Sequence, residues 1–115
     1  MRRAKHYDTA LDFANKAVSV VEQGHDDGSG SSAAYGVRAQ AEAQLGDLAA
    51  ASDDLNKAED FERRAIAEMG PMNADLVKRQ YVPVLKGLLN FHAQVLSALG
   101  KQNESEAKAA AATKL

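Results

Sequence analysis

Leu45-Gly46-Asp47-Leu48-Ala49-Ala50-Ala51-Ser52-Asp53-Asp54-Leu55-Asn56-Lys57-Ala58 is the stretch that decides the fold. Gly46 has no Cβ and can take the left-handed conformation that ends a helix. Asp47 then offers a side-chain oxygen to the unpaired N–H groups of the next helix. Upstream, a helix is expected over about 33–45. Downstream, Leu48, Ala51, Leu55, Ala58, Phe61, Ala65 and Ile66 fall on one face of a helix that should run to about Met69, before Gly70-Pro71 breaks it. Asp53/Lys57, Glu59/Arg63 and Asp60/Arg64 are spaced i, i+4 and read as a solvated face of paired charges.

Working outward, Tyr7, Ala10, Leu11, Ala14, Ala17, Val18 and Val21 form the apolar stripe of a first helix ending near Gln23. The stretch 24–32 is rich in Gly, Ser and Asp and reads as a mobile loop, one serine of which caps the helix that follows. Beyond Pro71, Asn73 or Asp75 should start a long fourth helix ending at Gly100. Its apolar residues, from Leu76 to Leu99, cover more than half its circumference and call for packing on two sides. Pro83 lies inside this pattern, so a kink or a break is expected near Tyr81-Val82. A last, alanine-rich helix is expected over about 104–113. The fold class is therefore all-α.

The chain repeats itself. Tyr35, Ala39, Leu45, Gly46, Ala51, Leu55 and Ala58 match Leu89, Ala93, Leu99, Gly100, Ser105, Ala109 and Ala112 at identical offsets. Ala10, Ala14 and Ala17 form a third copy of Ala51, Leu55 and Ala58. Small residues at such places let two helices of a hairpin approach closely. The pattern resembles the tetratricopeptide repeat, with elongated repeats similar to those of kinesin light chain. It differs from that family in its spacing, 41 residues from Ala17 to Ala58 and 54 from Ala58 to Ala112, against about 34. The family's Trp and closing Pro are also missing. The resemblance implies one domain over 1–115, with a partial first repeat at 5–23 and repeats at 33–69 and 73–114, stacked as a short right-handed superhelix. An unrelated helical bundle would carry the repeated offsets only by chance.

Composition narrows the function. The 115 residues carry 14 basic and 16 acidic side chains, a net charge of -2, with neither sign concentrated beyond Arg2, Arg3 and Lys5. That gives no footprint for nucleic acid or an anionic membrane. No apolar run approaches the roughly 18 residues of a membrane span. The absence of cysteine excludes disulfides and thiolate metal sites and fits a cytoplasmic protein.

Motifs for chemistry are missing as well. His6 with Asp8, His25 with Asp26 and Asp27, and His92 alone make no His-x3-His pair, so a surface or groove-lining role is expected for His92. A calcium loop around Gly28 would need ligands where Gln23, His25 and Ala34 stand, and the glycines lack a phosphate-binding pattern. No cofactor or metal is expected, and the chain reads as a non-enzyme. An enzyme would require a pocket with clustered titratable groups.

In the tetratricopeptide family the first helix of each hairpin lines a concave surface. The resemblance thus implies a partner groove carrying Ala33, Gly36, Gln40, Ala43 and Gln44 from the second helix, and Gly87, Asn90, Gln94 and Ser97 from the fourth. Gln40, Gln44, Asn90 and Gln94 are the candidate partner-binding residues, since amides can pair with both N–H and C=O of a peptide backbone. The same positions also suit plain solvent-facing or interhelical residues. Gly36 and Gln40 stand where a clamp for a terminal carboxylate would need Lys and Asn. The expected role is a scaffold that binds another protein, as a peptide or helix. The alternative is a homodimer formed through an uncovered apolar face of the first helix.

Overall fold

The computed structural model describes residues 2–23 and 29–115, with side chains described for 9–23 and 31–115. The readings that concern Arg2, Arg3, Lys5, His6, Tyr7, Asp8 and the side chains of 24–30, including the rejected calcium loop, lie outside these described residues. The chain is all-α. Its elements are α1 (Arg2–Glu22), α2 (Ser29–Gln44), α3 (Leu48–Met69), a 3-10 turn (Pro71–Asn73), the single turn α4 (Ala74–Leu76), a π turn (Val77–Tyr81), α5 (Val82–Ala98) and α6 (Gln102–Thr113). Among the described residues there is no strand, and no helix is long and apolar enough to cross a membrane.

The two Leu-Gly turns close in the same way. After α2, Asp47 N–H donates to Glu42 O at 2.8 Å and Gly46 N–H to Ala43 O at 3.1 Å. After α5, Lys101 N–H donates to Leu96 O at 2.9 Å and Gly100 N–H to Ser97 O at 3.0 Å. Both are Schellman closures, which need a left-handed residue at the turn, and Gly46 and Gly100 take φ of 88° and 80°. Asp47 caps α3 as expected, accepting from Ala50 N–H at 3.3 Å. The equivalent Lys101 offers no side-chain cap to α6.

The two turns reverse the chain, so α2 packs on α3 and α5 on α6; α1 packs on α2, and α3 also packs on α5. α3 is the spine. Its Ala58 meets Val18, Ala34 and Tyr35; its Ala51 and Leu55 meet Ala39 and Val95; its Ile66 meets Leu85, Leu89 and Ala112. The repeat is visible in burial: Tyr35, Ala39, Ala51 and Ala58 are buried, and so are their counterparts Leu89, Ala93, Ser105 and Ala112. The match lapses at Ala109, exposed where Leu55 is buried, and at Ala17, exposed because α1 presents Val18 instead. The body measures 49 × 35 × 20 Å, so its thinnest dimension holds two helices, each about 10 Å across.

The structure corrects one expectation and sharpens two. α2 begins at Ser29, and Ser31 and Ser32 are buried inside it, so neither caps it. Asn73, one of the two expected starting residues, stands directly before Ala74 at the head of the helix but makes no side-chain cap bond to it; its Nδ2 donates back to Met69 O at 2.6 Å and closes the end of α3. Pro83 does not split the helix. The chain stays helical from Ala74 to Ala98, and the turn before Pro83 widens to π spacing, with Val82 N–H donating to Val77 O. That widening accommodates a ring that would otherwise crowd the carbonyl four residues back.

Candidate functional site

Two concave regions lie on different sides of α3. The first is a groove of about 510 Å³ between α2 and α5. α3 packs against both helices and holds them apart, so the groove has a floor. From α2 it is lined by Ser32, Ala33, Gly36, Val37 and Gln40; from α3 by Glu62; from the π turn and α5 by Gln80, Tyr81, Val84, Gly87, Leu88 and Phe91. Gly36 sets its depth, because a Cβ there would stand 3.3 Å from Leu88 Cδ2, whereas a Cβ on Gly87 would meet nothing within 4 Å. Burial pushes the Glu62 carboxyl above the ordinary value, with the Ser32 hydroxyl pulling the other way.

Of the residues expected in a groove, Ala33, Gly36, Gln40 and Gly87 line this one. Gln44, Asn90 and Gln94 are exposed and outside its lining; Gln44 lies one turn beyond Gln40, and Gln94 one turn beyond Phe91. The helical register therefore brings Gln40 to the groove and leaves the other three amides around its margin.

The groove continues onto α1. A shallower hollow of about 350 Å³, lined by Phe13, Ala14, Ala17, Ala33, Ala34 and Val37, shares Ala33 and Val37 with it. Phe13 is 68% exposed, Val37 50% and Val84 47%, so three helices contribute to one apolar strip open to solvent. A contiguous strip of this kind marks an interaction face more often than scattered apolar residues do. The pattern rule missed Phe13 because it falls off the α1 stripe that Ala14 and Val18 bury.

The second region is polar. Glu59, expected to pair with Arg63 on the solvated face, is 1% exposed and turns inward. Its Oε2 lies 2.6 Å from His92 Nδ1, and its Oε1 accepts from Lys108 Nζ at 2.6 Å. His92 is also 1% exposed, and its Nε2 lies 2.8 Å from Ser52 Oγ. Of the three expected i, i+4 pairs, Asp60 with Arg64 forms at 3.3 Å, both side chains exposed. Lys57 Nζ stands 5.3 Å from the centre of the Tyr35 ring. Ser52, His92 and Lys108 border a cleft of about 330 Å³ that Asn56, Leu96, Lys101 and Glu104 also line. A buried charge has to be paired, and Glu59 finds its partners 33 and 49 residues further along the chain, beyond the reach of a local spacing rule.

A third cluster joins α2 to α3. Arg38 grips Asp54 through Nε and Nη2, both at 2.8 Å, and reaches Asn15 of α1 at 3.3 Å. Beside it, burial and then the neighbouring Asp54 raise the Glu42 carboxyl to about 8. Burial also pushes Asp54 upward, but hydrogen bonds from Arg38 and Glu42 outweigh it and hold Asp54 below the ordinary value. Among the described residues no group of three or more His, Cys, Asp and Glu side chains is placed to hold a metal ion.

No family model, curated protein or solved structure matches this chain. The tetratricopeptide resemblance therefore rests on the repeated residues themselves.

Proposed function

We propose that the chain is a protein-interaction scaffold of tetratricopeptide-like hairpins that holds an amphipathic helix of another protein in the α2/α5 groove. The continuous apolar strip from Phe13 through Val37 to Val84 carries this reading. Two further facts support the repeat assignment: the paired Schellman turns and the buried small residues at matched offsets. The mechanism is positioning. An apolar side chain of the partner enters between Gly36 and Gly87, and further apolar residues one and two turns along cover Val37, Val84 and Phe13. Gln40 and Gln80 meet the partner's polar flank. A helix suits the site better than an extended strand, because the lining offers few polar groups to a partner's exposed backbone. A cytoplasmic setting belongs to the same reading.

Self-association is the second reading, favoured by Phe13, whose ring stands out on α1 beside Ala17. Light scattering across concentration separates the two, since the scaffold reading expects a monomer. For the groove, helical peptides selected from a displayed library against the wild-type protein are titrated against Val84→Asp. A charge in the apolar wall should weaken binding at least tenfold with helicity unchanged. Equal affinity for both proteins would remove the groove as the binding face.

A further inference from the structure

Ser52 and Glu59 are seven residues apart on α3, two helical turns or about 10 Å, and face the same side. The imidazole of His92, brought in from α5, fills the space between them. Lys108, from α6, occupies the remaining oxygen of Glu59. Paired in this way as a carboxylate, Glu59 can only accept, so His92 Nδ1 must be the protonated nitrogen that donates to it. A neutral ring protonated at Nδ1 leaves Nε2 as an acceptor, and the Ser52 hydroxyl then donates to it at 2.8 Å. This is the order of groups that activates a serine: nucleophile, base, and an orienting carboxylate, each within hydrogen-bond reach.

We infer that Ser52, His92 and Glu59 form an acyl-transfer site opening into the α3/α5/α6 cleft and acting on esters of small carboxylic acids. Ser52 Oγ attacks the carbonyl carbon as its proton passes to His92 Nε2. The tetrahedral intermediate collapses, the carbon–oxygen bond to the leaving alcohol breaks, and that alcohol takes the proton from Nε2. Water then adds to the acyl-serine with His92 again as base, releasing the acid and restoring the Ser52 hydroxyl. No oxidant, reductant or metal is needed. Glu59 is a positioning residue that fixes the tautomer, and Lys108 fixes Glu59.

The cleft suits this use. Ser52 is half-buried and lines it, so the nucleophile faces a substrate-sized space. Asn56, one turn on from Ser52, brings an amide N–H and Lys101 an ammonium to the same cleft, where an oxyanion would need donors. Its volume of about 330 Å³, with Leu96 and Ala107 as apolar lining, limits the acyl group to a short one.

The test uses the intact chain with a fluorophosphonate probe, followed by peptide mass mapping, and p-nitrophenyl acetate as substrate. Ser52 should be labelled at least tenfold more than the exposed Ser19 and Ser97. Ser52→Ala, a small change at a half-buried site, should cut ester turnover at least tenfold with the circular dichroism spectrum unchanged. Labelling of Ser52 no greater than of Ser19, or turnover unchanged in Ser52→Ala, would overturn the inference. The first readout needs no variant, so it decides the matter even if Ser52→Ala fails to fold.

Discussion

At the scale of single residues, the buried acids set how the protein responds to pH. Glu42 has an Oε1 that is buried with no hydrogen-bond partner, so the ionised form is penalised and the carboxyl is raised to about 8. Asp54, Arg38 and Asp47 are the charged groups that act on it. A carboxyl raised on folding binds more protons in the folded than in the unfolded state. Its contribution is therefore complete below about 4.5, the unfolded value, and is lost as pH rises through about 8. Glu62, raised by burial, acts in the same direction. Asp54, held low, acts oppositely and loses its contribution only in acid. Glu42→Gln keeps a donor for Asp54 without a charge. Denaturant unfolding of this variant should lose part of the fall in stability between pH 5 and 8, about 1 kcal/mol or more after allowing for solvent screening of a half-buried group. An identical pH dependence in both proteins would mean that Glu42 ionises freely.

These residues also mark the limit of what the sequence discloses. Spacing placed Glu59 with Arg63 because an i, i+4 rule sees only one helix. Ser52 and His92 carry no motif, and their meeting depends on the register of α3 against α5. One signal was present: Ser52 and Glu59 each follow directly on a buried alanine of the α3 stripe, Ala51 and Ala58, and so border its buried face.

At the scale of elements, legibility followed punctuation. α3 runs from Leu48 to Met69 as expected, because Gly46-Asp47 and Gly70-Pro71 bound it by backbone geometry alone. α2 starts earlier than expected because Ser31 and Ser32, favourable as caps, are buried within the helix. α6 starts at Gln102, directly after the Schellman turn, where composition gave no sharp start. Pro83 announced a disturbance, but its form, a π turn, depends on how the preceding carbonyls relax. The small residues of the repeat have a testable consequence. Ala51 and Ala39 are both fully buried where α2 and α3 meet. Ala51→Leu should force the two helices apart and cost about 1 to 3 kcal/mol, measured by thermal or denaturant unfolding. An unchanged midpoint would show that the interface has room to spare.

At the scale of the whole molecule, the thin body has two concave faces because α3 is covered on several sides by helices that do not fully cover one another. Between α2 and α5 that leaves an apolar groove; between α3, α5 and α6 it leaves a polar cleft. The all-α class and the helical order were legible from periodicity. The groove's location was partly legible, through Ala33, Gly36, Gln40 and Gly87. Its extension onto Phe13 required the packing of α1 against α2.

The central claim is that the α2/α5 groove is the surface that holds a partner. The most direct measurement is a titration of the ¹⁵N-labelled protein with a library-selected helical peptide, following backbone amide shifts. The claim predicts the largest shifts at Gly36, Val37, Val84 and Gly87, with those of Asn56, Glu104 and Ala107 at the opposite cleft unmoved. Shifts centred on that cleft, or confined to α1 without Gly36 and Gly87, would contradict it.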